Sequence, residues 1–301
     1  MRSVLLVVHI GRAQIVEMAG HCARRLADAG FEVRVLADEG AVIDVPKARR
    51  VSSDGAAEGV ELVLVLGGDG TFLRAAELAR SAAAPLLGVN LGHVGFLAEA
   101  EPHALTATVE AIVNRAYSVE ERVTVEAEVR LRDTVLAQAW ALNEISLERT
   151  NRERMLEVAV AVDDRPLLRF GCDGVLCSTP TGSTAYAFSA GGPIIWPNVE
   201  ALLVVPNAAH ALFSRPFIVA PTSTVSIDVV SSEYQAVLSC DGRRSVAVPA
   251  GGQVRVTSSR VPVRIVRMGD GWSFADRLVS KFQLPVKSFR EATPPRHVDQ
   301  D

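Results

Sequence analysis

Lysine is nearly absent from this chain. Among 301 residues only Lys47, Lys281 and Lys287 are lysines, although Lys and Arg together number 31. Any phosphate bound here must therefore rely on backbone N–H groups, arginine or a metal ion. No Gly-Lys-Ser/Thr run occurs, which excludes the lysine-bearing nucleotide loop. Cysteine is also scarce. Cys22, Cys172, Cys177 and Cys240 are scattered, Cys172 and Cys177 lack metal-finger spacing, and no His pair completes a set. Buried free thiols in a reducing cytoplasm are expected, and no metal-ligating residues are assigned. No apolar run reaches membrane-spanning length. Met1 to His9 begins like a secretory leader but has no small-residue cleavage site and runs on into Gly11-Arg12 and a helical pattern, so a first core strand is the better reading. Excess positive charge is lacking too. The net charge of −4 argues against a general nucleic-acid binder.

What is present starts at Glu61. Leu62 to Leu66 is an unbroken apolar run, suited to a strand buried on both faces of a parallel sheet. Gly67-Gly68-Asp69-Gly70 ends it, and Phe72, Ala75, Ala76 and Ala79 then recur at helical spacing. Strand, glycine turn and helix start follow one another. Bare N–H groups at such a helix start can receive phosphate oxygens, and Gly67, Gly68 and Gly70 allow the close approach. Asp69 would repel that phosphate unless it held a metal or took up a proton, which points to phosphoryl transfer. The plainer alternative is a β-turn in which Asp69 caps the helix.

The chain continues the alternation. Val4–Val8 reads as a strand, 13–29 as a helix, 31–36 as a strand, 42–59 as a loop with a short helix, and the helix after the glycine turn runs to about Ala84. Pro85–Asn90 is a strand that ends in a second glycine cluster reaching Leu97, and 104–114 is helical. Strands alternating with helices imply a Rossmann-like α/β domain, with ligands at the carboxyl ends of the strands. Near Tyr117 the rhythm changes to short alternating strands: Val119–Leu131, Val135–Leu147, Leu156–Val162, Leu167–Phe170, Ala201–Val205, Ser223–Val230, Ala236–Cys240, Val246–Val248, Gln253–Ser258 and Val261–Arg267. These predict a β-sandwich-like domain. The expected division is 1–120 with 271–290, where a helix over 274–282 returns to the first domain; 121–270; and a disordered tail over 291–301.

Two stretches of the second domain can carry chemistry. Asn143-Glu144 interrupts a strand pattern with an amide and a carboxylate, which suit ribose hydroxyls or mark a solvated strand edge. The run 172–193 reads as a loop dense in hydroxyls and glycines that turns helical near Thr184, with Tyr186 offering a ring for stacking on a base. His210 is a candidate ligand or acid/base group, although a lone histidine is more often a hydrogen-bonded packing residue.

Taken together, Gly67-Gly68-Asp69-Gly70-Thr71, Gly88-Val89-Asn90-Leu91-Gly92 through Gly95-Phe96-Leu97, Asn143-Glu144, Asp173-Gly174 with Thr179 to Tyr186, and Cys240-Asp241-Gly242 resemble the bacterial NAD kinases, of actinobacterial type. The blocks keep the family's order from Val4 to about Phe282. The glycine–aspartate block alone also occurs in phosphofructokinases and lipid kinases; the combination is specific. The resemblance implies transfer of the terminal phosphate of ATP, or of polyphosphate in some members, to the 2′-hydroxyl of the adenosine ribose of NAD. Asp69 would be the catalytic base. Gly67, Gly68 and Gly70 would cradle donor phosphates with Mg2+. Asp69, Gly70, Arg74, Asn143, Glu144, Arg154, Asp173, Thr184, Ala185, Tyr186, Ser189 and Ala208 would line the NAD site, while Arg243 receives no firm role. The resemblance further implies a cytoplasmic homodimer or homotetramer joined through the β-rich domain, with no nucleic-acid or membrane partner. The rival readings are a lipid or sugar kinase sharing the glycine turn, and a non-catalytic NAD-binding regulator.

Overall fold

The computed structural model describes residues 1–43, 45, 48–90, 95–98, 104–150, 154–230, 235–269 and 273–286. The chain opens with β1 (Ser3–Val8), α1 (Ala13–Asp28), β2 (Glu32–Leu36), β3 (Arg49–Val51), β4 (Leu62–Leu66), α2 (Asp69–Ala79), β5 (Leu86–Val89), α3 (Leu105–Asn114) and β6 (Ser118–Arg122). It continues with β7 (Val125–Leu131), β8 (Thr134–Ala141), β9 (Glu144–Arg149), β10 (Leu156–Val162), β11 (Arg165–Cys172) and β12 (Gly174–Ser178). After a 3-10 turn over Thr181–Thr184 come α4 (Tyr186–Ser189), β13 (Leu202–Asn207), β14 (Phe217–Val219), β15 (Val225–Val229) and β16 (Ala236–Cys240). The last elements are β17 (Arg244–Val248), β18 (Gln253–Ser258), β19 (Val263–Arg267) and α5 (Phe274–Phe282).

The first domain is a seven-stranded sheet in the order β3-β2-β1-β4-β5-β19-β6. β1 and β4 lie side by side at its centre in parallel register, Val4 opposite Leu62 and Val8 opposite Leu66. Every residue of both strands is buried, as uninterrupted apolar runs covered on two faces require. The chain moves from β1 outward through β2 to β3, then returns to the other flank of β1 as β4. The order of the strands therefore reverses between β1 and β4, where a crevice opens beyond their carboxyl ends. Phe72 anchors α2 against this sheet with 1% exposure. Burying such a ring is worth roughly 2–3 kcal/mol.

The second domain stacks two six-stranded sheets, β11-β10-β15-β18-β7-β8 and β14-β13-β12-β9-β16-β17. Val125, Val158, Ile227 and Val254 of the first meet Ile145, Val175, Val204 and Leu238 of the second in one core, which is the expected sandwich. The outer face of the β12–β13 pair is covered separately by Ala187 and Ile195.

Several boundaries differ from the sequence reading. α2 stops at Ala79, not Ala84, because Pro85 excludes a helical residue before it and Ala83 turns left-handed at φ 51°. The alternation over 119–131 divides: β6 pairs antiparallel with β19 in the first sheet, and only β7 belongs to the sandwich. β19 was expected in the second domain, but Val263, Ile265 and Val266 are apolar enough to close the first sheet beside β5. The return to the first domain thus comes before residue 271. β3 is a short parallel edge strand inside the stretch read as loop and helix. β12 lies inside the stretch read as a loop; its hydroxyl-rich flank masked a fully buried run from Gly174 to Ser178. α5 has the predicted limits, with a Ser273/Asp276 capping box. It returns to the seam between the domains: Phe274 and Phe282 meet Phe96 of the first domain at 6.0 and 5.8 Å, and Phe282 also meets Phe188 of the second at 4.7 Å. The tail over 291–301 and His93 lie outside the described residues. Among those described, no helix is long and apolar enough to cross a membrane.

Candidate active site

The turn from β4 into α2 divides its three glycines between two tasks. Gly67 is buried, and a Cβ there would stand 2.8 Å from the Thr71 Cβ, so it is glycine for packing. Gly68 and Gly70 are exposed, and a Cβ on either would meet nothing within 4 Å. Gly68 is the N-cap of α2 and brings no capping side chain. The first N–H groups of the helix are therefore left to solvent or a ligand. These glycines face a cavity of about 530 Å3 beyond the carboxyl ends of β1 and β4, walled also by His9, Arg12, Arg74 and Arg243.

Asp69 opens α2 and does not cap it. Its two oxygens accept the N–H groups of Leu97 and Phe96 at 3.2 Å each. Those donors belong to the second glycine cluster, so the two clusters meet as their positions at neighbouring strand ends suggest. Gly95 lies beneath the carboxylate; a Cβ there would overlap it, 2.9 Å from Cγ. Phe96 is held from behind as well. Its carbonyl accepts the Nη1 group of buried Arg277 on α5 at 2.9 Å. The last helix thus fixes the peptide that orients Asp69.

Arg74, one turn along α2, donates to the Val8 carbonyl at 2.9 Å and pairs with Glu39. Glu39 is fully buried and also accepts the Val8 N–H at 3.0 Å. Burial pushes its carboxyl up, while Arg74 and that N–H oppose the shift. Arg74 thus stands in the cavity wall with its charge partly matched. Glu39 carried no readable signal, being one acidic residue in a connecting segment.

In the second domain, Asn143 and Glu144 occupy the break between β8 and β9. The break is built by Asp241, whose carboxylate accepts the N–H groups of Leu142 and Asn143 at 3.0 and 2.7 Å. The Asn143 carbonyl accepts Thr179 N–H at 2.9 Å and the Ser178 hydroxyl at 3.1 Å, which ties the break to the end of β12. Glu144 is 6% exposed, and its Oε2 is buried with no hydrogen-bond partner among the described residues. Burial, then the neighbouring Asp241 charge, push its carboxyl up to about 8, against the Tyr186 N–H. An orphaned oxygen of this kind fits a ligand hydroxyl, accepting its O–H when ionised and able to donate a proton to its oxygen when neutral.

This shift sets a pH dependence for the free protein. The folded pKa lies above the unfolded one, so the native state holds the extra proton between about pH 4.5 and 8. The contribution is complete below the unfolded pKa and is lost as pH rises through the folded one, by at most about 1.4 kcal/mol per pH unit. Glu144→Gln is expected to flatten the fall in stability over that window, which urea unfolding at pH 5, 6.5 and 8 measures. Parallel curves for both proteins would reject it.

The rest of the predicted dinucleotide lining divides in two. Tyr186 offers its N–H to Glu144, and its hydroxyl accepts Asn207 Nδ2 at 3.1 Å. Asp173 donates its N–H to the Asn207 carbonyl at 3.1 Å and pairs with Arg149 at 2.8 Å. Ala208 follows in a left-handed conformation at φ 49°. Glu144, Tyr186, Asp173 and the 207–208 corner are therefore one connected group, reached through Thr184 and Ala185 at the entry to α4. Ser189 is exposed at the end of α4, and Arg154 is exposed in the connection from β9 to β10. His210 is exposed, which goes against the packing reading, and only its backbone N–H is placed by a bond, to the Gly171 carbonyl at 2.8 Å. Among the described residues no three His, Cys, Asp or Glu side chains converge as a metal cage.

A carboxylate set between open turn glycines, facing a β-rich domain that presents an unsatisfied acid, defines a two-domain kinase for small nucleotide-like acceptors. The family models for the ATP-NAD kinase N-terminal and C-terminal domains match residues 4–117 and 142–268. A NAD kinase of Mycobacterium leprae is 51% identical over 302 residues, spanning 96% of this chain and 97% of that one. A NAD kinase of Thermobifida fusca is 53% identical over 299 residues, spanning 96% and 91%. The chain belongs to the NAD kinase family, whose members are ATP-dependent kinases. The fold agrees with yeast NADH kinase complexed with NADH, at a TM-score of 0.85 and 24% identity over 97% of this chain and 90% of that one. A NAD kinase from Archaeoglobus fulgidus in complex with ATP aligns with a TM-score of 0.68 and 26% identity, over 94% and 98% of the chains.

Proposed function

We propose that this protein transfers the terminal phosphoryl group of ATP to the 2′-hydroxyl of the adenosine ribose of NAD, yielding NADP and ADP, with Asp69 as the general base. The observation that carries this reading is the Asp69 carboxylate, held by two backbone N–H groups between the exposed Gly68 and Gly70. A secondary hydroxyl is a poor nucleophile at neutral pH. Its proton passes to Asp69 as the new oxygen–phosphorus bond forms and the bridge to the β-phosphate breaks. Gly68 and Gly70 present N–H groups to the donor phosphates, with Gly67 shaping the turn beneath them. Asn143 and Glu144 hold ribose hydroxyls. Asp173, Thr184, Ala185 and Tyr186 line the rest of the dinucleotide, while Ser189, Arg154, Arg74 and Ala208 stand at its margins. Mg2+, brought in with the donor, would lower the charge of its phosphates.

By sheet membership the domains divide at 1–122 with 263–286 and at 123–262. A cytoplasmic location is supported by four free, buried cysteines. Self-association through the β-rich domain is supported by the exposed Trp196, Val199, Phe213 and Ile218.

The test is formation of NADP from NAD and magnesium-ATP by the purified protein, with one ADP released per NADP. Dinucleotide binding without turnover, with polyphosphate as well as ATP, would favour a non-catalytic regulator. No dinucleotide binding would bring lipid and sugar acceptors forward.

A further inference from the structure

Arg277 carries its charge on a buried face of α5, at 3% exposure. Burying a guanidinium is costly unless fixed partners meet it. One of those partners leads directly to Asp69. Arg277 Nη1 donates at 2.9 Å to the Phe96 carbonyl, and that carbonyl belongs to the same peptide unit as the Leu97 N–H, which Asp69 Oδ1 accepts at 3.2 Å. A trans peptide is planar, with its C=O and N–H pointing in opposite directions, so fixing the oxygen fixes the aim of the N–H. A cation on the oxygen also draws electron density from the nitrogen, which makes the N–H a stronger donor. Cation, peptide and carboxylate are linked through one rigid group.

Two further sets of contacts hold the arginine in place. The Ser273/Asp276 capping box fixes the first turn of α5, immediately before Arg277. Phe274 lies three residues before it, hence on the same face, and meets Trp196 at 5.0 Å as well as Phe96. Phe96 is therefore gripped from α5 at both ends, its ring by Phe274 and Phe282 and its carbonyl by Arg277.

We propose that Arg277 is a positioning residue for phosphoryl transfer: through the Phe96–Leu97 peptide it holds the Asp69 carboxylate in the orientation that accepts the hydroxyl proton. The proposal rests on the reading of Asp69 as general base. The competing account is that Arg277 only docks α5 on the first domain.

The experiment uses the full chain and compares Arg277→Met, Arg277→Lys, Leu278→Ala, Asp69→Asn and the Asp69→Asn/Arg277→Met double variant. Leu278 is buried at the next position of α5, so its truncation loosens the helix without removing the bond to Phe96. The readouts are kcat, the KM for NAD and for magnesium-ATP, the melting temperature, and hydrogen exchange of the Leu97 N–H. A base out of line is expected to lower kcat about ten- to a hundredfold in Arg277→Met, with both KM values changed less than about threefold. Arg277→Lys keeps the charge and a donor, and recovers part of that loss. Leu278→Ala lowers the melting temperature but keeps kcat within about twofold of the wild type wherever it is folded. Arg277→Met adds little in the Asp69→Asn background, because it acts through that carboxylate. Wild-type kcat in folded Arg277→Met, or an equal loss in Leu278→Ala, would overturn the assignment in favour of helix docking. A full further loss in the double variant would overturn the route through Asp69. Should Arg277→Met not fold, Arg277→Lys replaces it: a kcat about three- to tenfold down at unchanged KM supports the assignment, and a wild-type kcat overturns it. Wild-type turnover in Asp69→Asn would instead end the base reading and this role with it, while faster Leu97 N–H exchange in Arg277→Met would still place the arginine behind the peptide.

Discussion

Replacing Asp69 with asparagine is expected to lower the turnover of NAD phosphorylation by roughly a hundred- to ten-thousandfold, the range of a lost general base. Affinity for NAD is expected to change only a few fold. The geometry makes this substitution informative. Each Asp69 oxygen accepts one backbone N–H, from Phe96 or Leu97. An asparagine oxygen keeps one of those bonds, and the amide nitrogen faces the other donor. The lost bond destabilises the turn by roughly 1–3 kcal/mol, within what a folded domain tolerates. The Asn143–Glu144 group, organised by Asp241 in the second domain, shares no hydrogen bond with Asp69 and is expected to be untouched. Single-turnover kinetics with saturating magnesium-ATP, together with NAD titrations, separate the two effects. A variant with wild-type turnover, or one whose whole defect is in NAD affinity, would remove Asp69 from the role of base.

The second large effect is expected from Gly182→Ala. A Cβ there would overlap the Asn143 carbonyl and stand 2.6 Å from the Asn143 Cα. Backbone is the obstacle, and it has nowhere to go. The Asn143 carbonyl is held by Thr179 and Ser178, and the Asn143 N–H by Asp241 at 2.7 Å. The 3-10 turn carrying Gly182 must therefore lift away from the β8–β9 break. We expect a loss of about 3 kcal/mol or more, in the range of core overpacking, together with loss of dinucleotide binding. Gly70→Ala is the matched control for stability. Its Cβ would meet nothing within 4 Å, and its φ is not positive, so its unfolding midpoint is expected to stay near that of the wild type. Equal midpoints for Gly182→Ala and the wild type would show that the break can relax.

The parts of the molecule legible from sequence are those whose signal is local. An apolar run such as Leu62–Leu66 has few alternatives to a buried strand, and three glycines around Asp69 mark a turn whatever surrounds them. The limits of α5 were legible because Ser273 and Asp276 form a capping box within four residues. What was hidden depends on residues distant in sequence. β19 carries the same alternation as its sandwich neighbours, and only its pairing with β6 and β5 assigns it to the first sheet. β12 is buried by β9 and β13 on its two sides, while its own hydroxyls and glycines read as loop. Within the site, Asp69, Asn143 and Glu144 were visible as polar residues in apolar settings. Glu39 and Arg277 were not. Each acts on a residue far along the chain, and neither has unusual neighbours in sequence.

The antiparallel pairing of β6 with β19 has a consequence for how the chain is partitioned. Arg122 and Val263 face each other directly in register. The path leaves the first sheet at one of them and rejoins it at the other. All of the intervening sandwich is therefore an insertion whose two ends lie one strand spacing apart, about 5 Å. Excising it would leave a gap that a two-residue hairpin turn can bridge. The excised piece would likewise begin and end at one point on its surface. Each half is thus topologically closed on its own, and either can be exchanged or permuted without rethreading the other.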